Sequence, residues 1–263
     1  MLKVLKPFAA GAVLLTGASL PALSADLVPI VPTYEAPAPS YGGWYLRGHI
    51  GMSNQQLGSL YNVLFDTTDN LEFIDEGSFD AGGVYGVGIG YQFNHWLRFD
   101  ATAEYRGKTH FSALDRYETV DDGDPTTFDG TNDYTAKKSE LLFLANAYAD
   151  LGEFHGIVPY IGAGIGASRN TIHNFRDVNV PNGGVAFAHD DSRWNLAWAL
   201  HAGVGIKATD RLTIDLGYSY LDLGDARTGD IVASDGTNTV DNPMHFRDIT
   251  SHDFKVGLRY SFY

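Results

Sequence analysis

The stretch His252-Asp253-Phe254-Lys255-Val256-Gly257-Leu258-Arg259-Tyr260-Ser261-Phe262-Tyr263 decides how the chain is read. Phe254, Val256, Leu258, Tyr260 and Phe262 share one parity; Asp253, Lys255, Gly257, Arg259 and Ser261 share the other. A period of two marks a strand with one apolar and one polar face. A strand of a water-soluble sandwich has the same alternation. This segment, however, closes in aromatics with no polar tail, and earlier segments repeat its pattern. It reads as the closing strand of a barrel in the outer membrane.

Seven earlier segments alternate in the same way. In 43–52, Trp44, Leu46, Ile50 and Met52 oppose Tyr45, Arg47 and His49. In 81–93, Tyr85, Val87, Ile89, Tyr91 and Phe93 oppose a run of inward glycines. Segment 96–108 is the most telling: Leu97, Phe99, Ala101, Ala103 and Tyr105 alternate with Arg98, Asp100, Thr102, Glu104 and Arg106. Segments 140–151, 159–169, 193–208 and 211–221 follow, with Asp150, His201, Lys207 and Asp215 on their polar faces. Arg or Lys on a lipid face at mid-membrane costs roughly 2–4 kcal/mol. Turning 96–108 over would expose Arg98, Asp100, Glu104 and Arg106 together, so the apolar parity faces lipid.

Connection lengths set the topology. Long connections (53–79, 109–138, 170–192, 222–249) alternate with short ones (94–95, 152–157, 209–210). Outer-membrane barrels have long extracellular loops and short periplasmic turns. A soluble lipocalin-like barrel has no need of that asymmetry. The expected fold is an all-β, eight-stranded antiparallel up-and-down transmembrane β-barrel over 43–263.

Residues 1–25 read as a secretory signal peptide, with Lys3 and Lys6 before an apolar core and small residues at 22–25 for cleavage. Residues 26–42 read as a periplasmic linker, extended by Pro29, Pro32, Pro37 and Pro39. No stretch is long and apolar enough for a transmembrane helix. The chain has no cysteine, which excludes a disulfide, a thiolate metal site and a lipoprotein anchor. Losing Lys3 and Lys6 takes the formal charge from −14 to −16, which argues against nucleic acid as a partner.

Tyr41-Gly42-Gly43-Trp44-Tyr45-Leu46-Arg47-Gly48-His49-Ile50-Gly51 resembles the first strand of small alphaproteobacterial outer-membrane barrel proteins. Pro159-Tyr160-Ile161-Gly162-Ala163-Gly164-Ile165-Gly166 and Val256-Gly257-Leu258-Arg259-Tyr260-Ser261-Phe262 resemble their fifth and last strands. These are porin-like surface antigens of rhizobia and brucellae, within the wider OmpA/OmpX-type barrels. The resemblance covers the whole mature chain. It implies a structural role in envelope integrity and host interaction, with no shared catalytic residues. Some relatives are described as small porins and some as haem binders. It also implies that Phe254, Val256, Leu258, Tyr260, Phe262 and Tyr263 form the signal read by the barrel-assembly machinery. Family members usually end in Phe, whereas here Tyr263 follows Phe262.

The candidate site is the set of inward charges: Arg47, Arg98, Asp100, Glu104, Arg106, Asp150, Lys207, Asp215, Asp253, Lys255 and Arg259. An eight-stranded ring is just wide enough for its side chains to fill it. These charges are therefore expected to pair and plug the lumen; a small-solute pore is the alternative. The loops are acidic, with Asp66, Asp69, Glu72, Asp75 and Glu76 in the first, and Asp115, Glu118, Asp121, Asp122, Asp124, Asp129 and Asp133 around Arg116 in the second. Asp121-Asp122-Gly123-Asp124 lacks EF-hand spacing, so a solvated surface is expected there rather than a metal site. The nine histidines show no metal-ligand spacing. Ser251-His252-Asp253 is not a triad, because on a strand His252 points away from both neighbours. No cofactor or enzymatic activity is expected. The expected partners are outer-membrane lipid and lipopolysaccharide, the assembly machinery, and host or environmental surface ligands.

Overall fold

The computed structural model describes residues 42–263 apart from 69, 119–127 and 182. The expected signal peptide and all but the last residue of the linker lie outside the described residues, as do Asp69, Asp121, Asp122 and Asp124. The strands are β1 Gly43–Gln56, β2 Ser59–Tyr61, β3 Glu72–Phe79, β4 Gly82–Gln92, β5 Leu97–Arg116, β6 Asn132–Asp150, β7 Ile157–Asn179, β8 Gly184–Ala188, β9 Asp191–Lys207, β10 Leu212–Arg227, β11 Ile231–Ala233 and β12 His245–Ser261.

Eight of them close a ring of antiparallel neighbours. β1 pairs with β4, β4 with β5, β5 with β6, and β6 with β7. β7 pairs with β9, β9 with β10, β10 with β12, and β12 returns to β1. The closing seam sets Leu46 opposite Tyr260, Ile50 opposite Val256 and Met52 opposite Phe254. Closure matters because lipid offers no partner to an open strand edge. The four short strands β2, β3, β8 and β11 attach at the long-loop end, to β12, β5, β7 and β8 respectively.

The outer wall carries the apolar parity. Ile50, Val87, Leu196 and Phe254 are all more than three-fifths exposed on the isolated chain, which only lipid makes favourable. Aromatics collect at both rims: Trp44 packs edge-on to Tyr91 at one end, and Trp198 lies 5.6 Å from Tyr220 at the other.

The ring strands run well past the lengths read from the sequence. β5 continues to Arg116, β6 begins at Asn132, β7 reaches Asn179, β10 reaches Arg227 and β12 begins at His245. Much of what reads as long loop is therefore strand. The physical reason is a set of bulges. Between Arg106↔Glu140 and Thr109↔Lys138, β5 spends one residue more than β6. Inward residues on β5 are even-numbered up to Arg106 and odd-numbered from Thr109. Matching slips occur on β7 near Asn174 (φ 50°), on β10 near Gly224 (φ 68°) and on β12 near Asp248 (φ 54°).

Above these slips the interior changes character. Phe79, Phe111, Tyr134, Ile172, Phe175, Met244 and Phe246 are buried there in an apolar cluster. Phe111 meets Phe246 edge-on at 4.9 Å and lies 5.2 Å from Phe79. The outside of this extracellular half is wet, so the amphipathic rule of the membrane half is reversed.

Phe111→Ala should lower stability by about 3–5 kcal/mol, the usual cost of emptying a large core site. Leu196→Ala on the lipid face should cost much less. Urea unfolding of the two variants in micelles, followed by tryptophan fluorescence, makes the comparison.

Candidate functional site

Within the membrane half, the inward parity of the ring strands puts charge on the barrel axis. Six cations (Arg47, Arg98, Arg106, Lys138, Lys255, Arg259) face six carboxylates (Asp100, Glu104, Glu140, Asp150, Asp215, Asp253), all nearly or fully buried. The balance suits a medium where an unpaired charge is expensive.

The network has three levels. Nearest the periplasm, Arg98 Nε donates to Asp150 at 3.0 Å, and its guanidinium lies over the rings of Tyr148 (4.1 Å) and Tyr160 (4.6 Å). In the middle, Asp100 accepts from Arg47 (2.9 Å), Tyr45 (3.1 Å) and Asn146 (2.8 Å), and Arg259 donates to Asp215 at 3.3 Å. At the top, Arg106 lies 3.0 Å from Glu104, 2.9 Å from Glu140 and 2.7 Å from Asp253. Lys255 donates to both Glu104 oxygens at 2.8 and 3.0 Å, while Lys138 donates to Glu140 (2.6 Å) and Gln55 (2.9 Å). A cavity in the middle of the network, lined among others by Arg47, Glu104, Tyr148, His201 and Lys255, has a volume of about 20 Å³, which is room for roughly one water.

Inward glycines make this filling sterically feasible. A Cβ at Gly86 would sit 2.3 Å from His49 Nε2, and one at Gly164 would sit 2.1 Å from Asn146 Oδ1.

Ten of the residues read from the sequence as lumen charges lie in this network. Lys207 does not. It has the inward parity but lies at the periplasmic rim, half exposed, and pairs with Glu153 on the short turn between β6 and β7. Parity assigns a face, but not depth along the axis. Lys138 and Glu140 went unread because Leu142 and Leu144, on the same face of β6, interrupt the alternation with buried apolar side chains. His49 and His201 are buried in the lumen wall, where His201 contacts Ser219 (2.8 Å) and Asn146 (3.1 Å).

Ser251 and Asp253 are buried in the lumen, while His252 meets Tyr218 Oη at 2.7 Å outside. The three therefore assemble no triad. Among the described residues, no group of three His, Asp or Glu side chains is placed to hold a metal. Phe254, Val256, Leu258 and Tyr260 line the lipid face of β12, and Phe262 and Tyr263 follow, both about half exposed. Glu72, in the first acidic loop, pairs with Arg116 at 2.6 Å.

A family model of the outer membrane protein beta-barrel domain matches residues 10–262. The chain belongs to this family. It is 31% identical to an uncharacterized protein of Brucella suis, over 92% of this chain and 93% of the relative. Identity is 26% to outer membrane protein PagN of Salmonella typhimurium, over 90% and 97%. It is 24% to a candidate adhesin of Rickettsia prowazekii, over 82% and 86%. Among solved structures, the outer membrane protein OprG of Pseudomonas aeruginosa is similar at a TM-score of 0.47 and 14% identity, covering 85% of this chain and 97% of that one. Membership of the family places the protein in the cell outer membrane, and the resemblance to brucellar barrels stands.

Arg106→Met strips three carboxylates of a shared cation. It should destabilise the barrel by about 3–5 kcal/mol, read as a lowered urea midpoint. Adding Asp253→Leu restores the charge balance and should recover part of that loss.

Proposed function

We propose that the protein is a non-enzymatic structural barrel of the outer membrane that supports envelope integrity and presents its extracellular half to host or environmental surfaces. The observation that carries the structural reading is the filled lumen. Six cations pair with six carboxylates across the lumen, and the cavity between Arg47, Glu104, His201 and Lys255 has a volume of only about 20 Å³; both count against the small-solute porin reading.

The surface role is supported by the shape and charge of the extracellular half. Exposed Glu72, Asp75 and Glu76 lie on β3, and exposed Asp66 lies on the helical turn Val63–Thr67 that precedes it, all beyond the lipid band. The candidate-adhesin relative points the same way. Contact with lipopolysaccharide is supported by exposed Lys108, Lys137 and Arg169 on the adjacent strands β5, β6 and β7. Arg169 lies level with lipid-facing Leu141 and Trp194, and Lys137 lies four residues further out along β6. Cations at the outer edge of an apolar band suit the phosphates of that lipid. Recognition by the assembly machinery is supported by the apolar face of β12.

Three measurements test these readings. Pure protein in planar bilayers should give no stable nanosiemens steps; such steps would overturn the closed lumen. Cells carrying the protein should adhere to host-cell monolayers more than cells carrying a form with Asp66, Glu72, Asp75 and Glu76 changed to Asn or Gln; equal adherence removes the surface role. Deleting Tyr263 should leave heat-modifiable gel migration intact, whereas Tyr260→Ala with Phe262→Ala should impair it. The reverse pattern would move the assembly signal to the last residue.

A further inference from the structure

The extracellular half holds a cavity of about 250 Å³ where all four long connections meet. Asn62, Leu64, Phe65, Thr68 and Leu71 come from the connection between β2 and β3. Tyr117, Asn132 and Tyr134 flank the one between β5 and β6, Asp177 lies near the end of β7, and Ile231, Asn242 and Met244 come from the one between β10 and β12. The cavity lies beyond the lipid band: Tyr134 is seven residues past Leu141 on β6, roughly 23 Å along the strand.

Its chemistry is one-sided. Leu64, Phe65, Leu71, Ile231 and Met244 give an apolar wall, and the rings of Phe65 and Tyr134 stand edge-on at 6.4 Å. Among the described residues, no Lys or Arg lines it. Asp177, directly opposite Tyr134 across the β6–β7 pair, has an Oδ1 atom closed off from solvent and without a hydrogen-bond partner. Neighbouring Asp115 is satisfied, accepting from Tyr134 Oη at 2.7 Å and from the Asn132 amide at 3.0 Å. Asp177 is thus a carboxyl group at the edge of a space with an apolar, aromatic wall, and among the described residues no cation lines that space beside it.

We propose that this cavity binds a small organic cation, an ammonium group on an apolar or aromatic body, with Asp177 as its counter-charge. Each part of the site has a matching function. Asp177 Oδ1 supplies the missing acceptor for N⁺–H, the phenol and phenyl rings favour a cation over their faces, and the aliphatic wall takes the body. A bare or hydrated metal ion would waste the apolar wall, and an anion would be repelled by Asp177, with neutral amide and hydroxyl donors such as Asn62 and Thr68 in place of a counter-charge. The volume lies just under the range of drug-sized pockets, which sets the ligand as small. The site is independent of any role of the outer surface in adhesion.

Proton linkage gives the site a signature. Burial, with the charges of Asp115 and Asp133 adding to it, pushes the Asp177 carboxyl up to about 7. The groups facing it are those two carboxylates and the Tyr134 phenol, whose own proton is held more tightly than usual by burial and by the charges of Asp177 and Asp115. Ammonium binding requires ionised Asp177, so affinity should fall as pH drops through neutrality.

The test uses the folded full barrel in lipid nanodiscs, titrated calorimetrically with benzylamine and, as its uncharged counterpart, benzyl alcohol. At about pH 8, benzylamine should bind at least roughly tenfold more tightly, and at about pH 5.5 most of that preference should be gone. Asp177→Asn should abolish the preference at both pH values while keeping heat-modifiable migration. Leu64→Trp, which fills the cavity from its apolar side and leaves the carboxylate, should weaken both ligands; it serves as the test if Asp177→Asn fails to fold. Equal binding of amine and alcohol, no binding of either, amine binding that survives these substitutions, or Asp177-dependent binding of Mg²⁺ in preference to benzylamine would each overturn the proposal.

Discussion

Lipid gives a backbone amide or a side-chain charge nothing to bond to, and this one fact shapes the membrane half. It forces the β1–β12 seam to close, because either edge left open would strand a row of amides in hydrocarbon. It sends Arg98, Asp100, Glu104 and Arg106 inward together from one strand. Once inside, those charges lie in a space too narrow for bulk water, so they must satisfy one another. The balance of six cations against six carboxylates is the solution, with Arg106 at the hub of three of them. The closed ring and the paired charges inside it are two faces of one requirement.

The constraint lapses where the strands leave the bilayer. There water is outside, and burial is again favourable for Phe111, Tyr134 and Phe246. The same continuous strands serve both regimes because a bulge on β5, with partners on β7, β10 and β12, resets which residues point inward. The result is an inverted barrel carrying a conventional one on its outer end. The cavity beside Asp177 exists only because of that second core, since an unstructured set of loops would not hold four connections around one space.

The eight membrane segments were legible because each keeps strict alternation with an apolar face, as in Leu97 to Arg106 on β5. The inward residues of the network were legible for the same reason, since parity fixes the face. Their partners were not. Nothing in the sequence pairs Arg106 with Asp253 rather than with Asp150, because that depends on stagger around the ring. Lys207 was misplaced because parity is blind to depth, and Glu140 was overlooked because Leu142 and Leu144 share its face. The extensions of β5, β7, β10 and β12 are hidden because each begins with a slip of register, which looks like the end of alternation; β6 keeps a single inward parity from Tyr134 to Asp150. Phe111 and Ala113 do alternate with Ser112 and Leu114, but one step out of phase with Arg98 to Arg106.

The bulge at Gly107 and Lys108 has a consequence for how such a chain changes over generations. Losing a single residue there would leave Arg106 and Thr109 two steps apart on a regular strand, with Phe111, Ala113 and Asp115 still inside; straightening the bulge with both residues kept would turn those three out and Ser112 and Leu114 in. Point changes at those two positions touch little, for Lys108 is exposed and a Cβ at Gly107 meets only the Gly83 carbonyl oxygen at 3.7 Å. The spot therefore tolerates the loss of one residue better than it tolerates a straightened backbone. Lineages of this barrel should therefore shed one residue at 107–108 with every face kept, a change of length that elsewhere on β5 would reverse one part of the strand against the other.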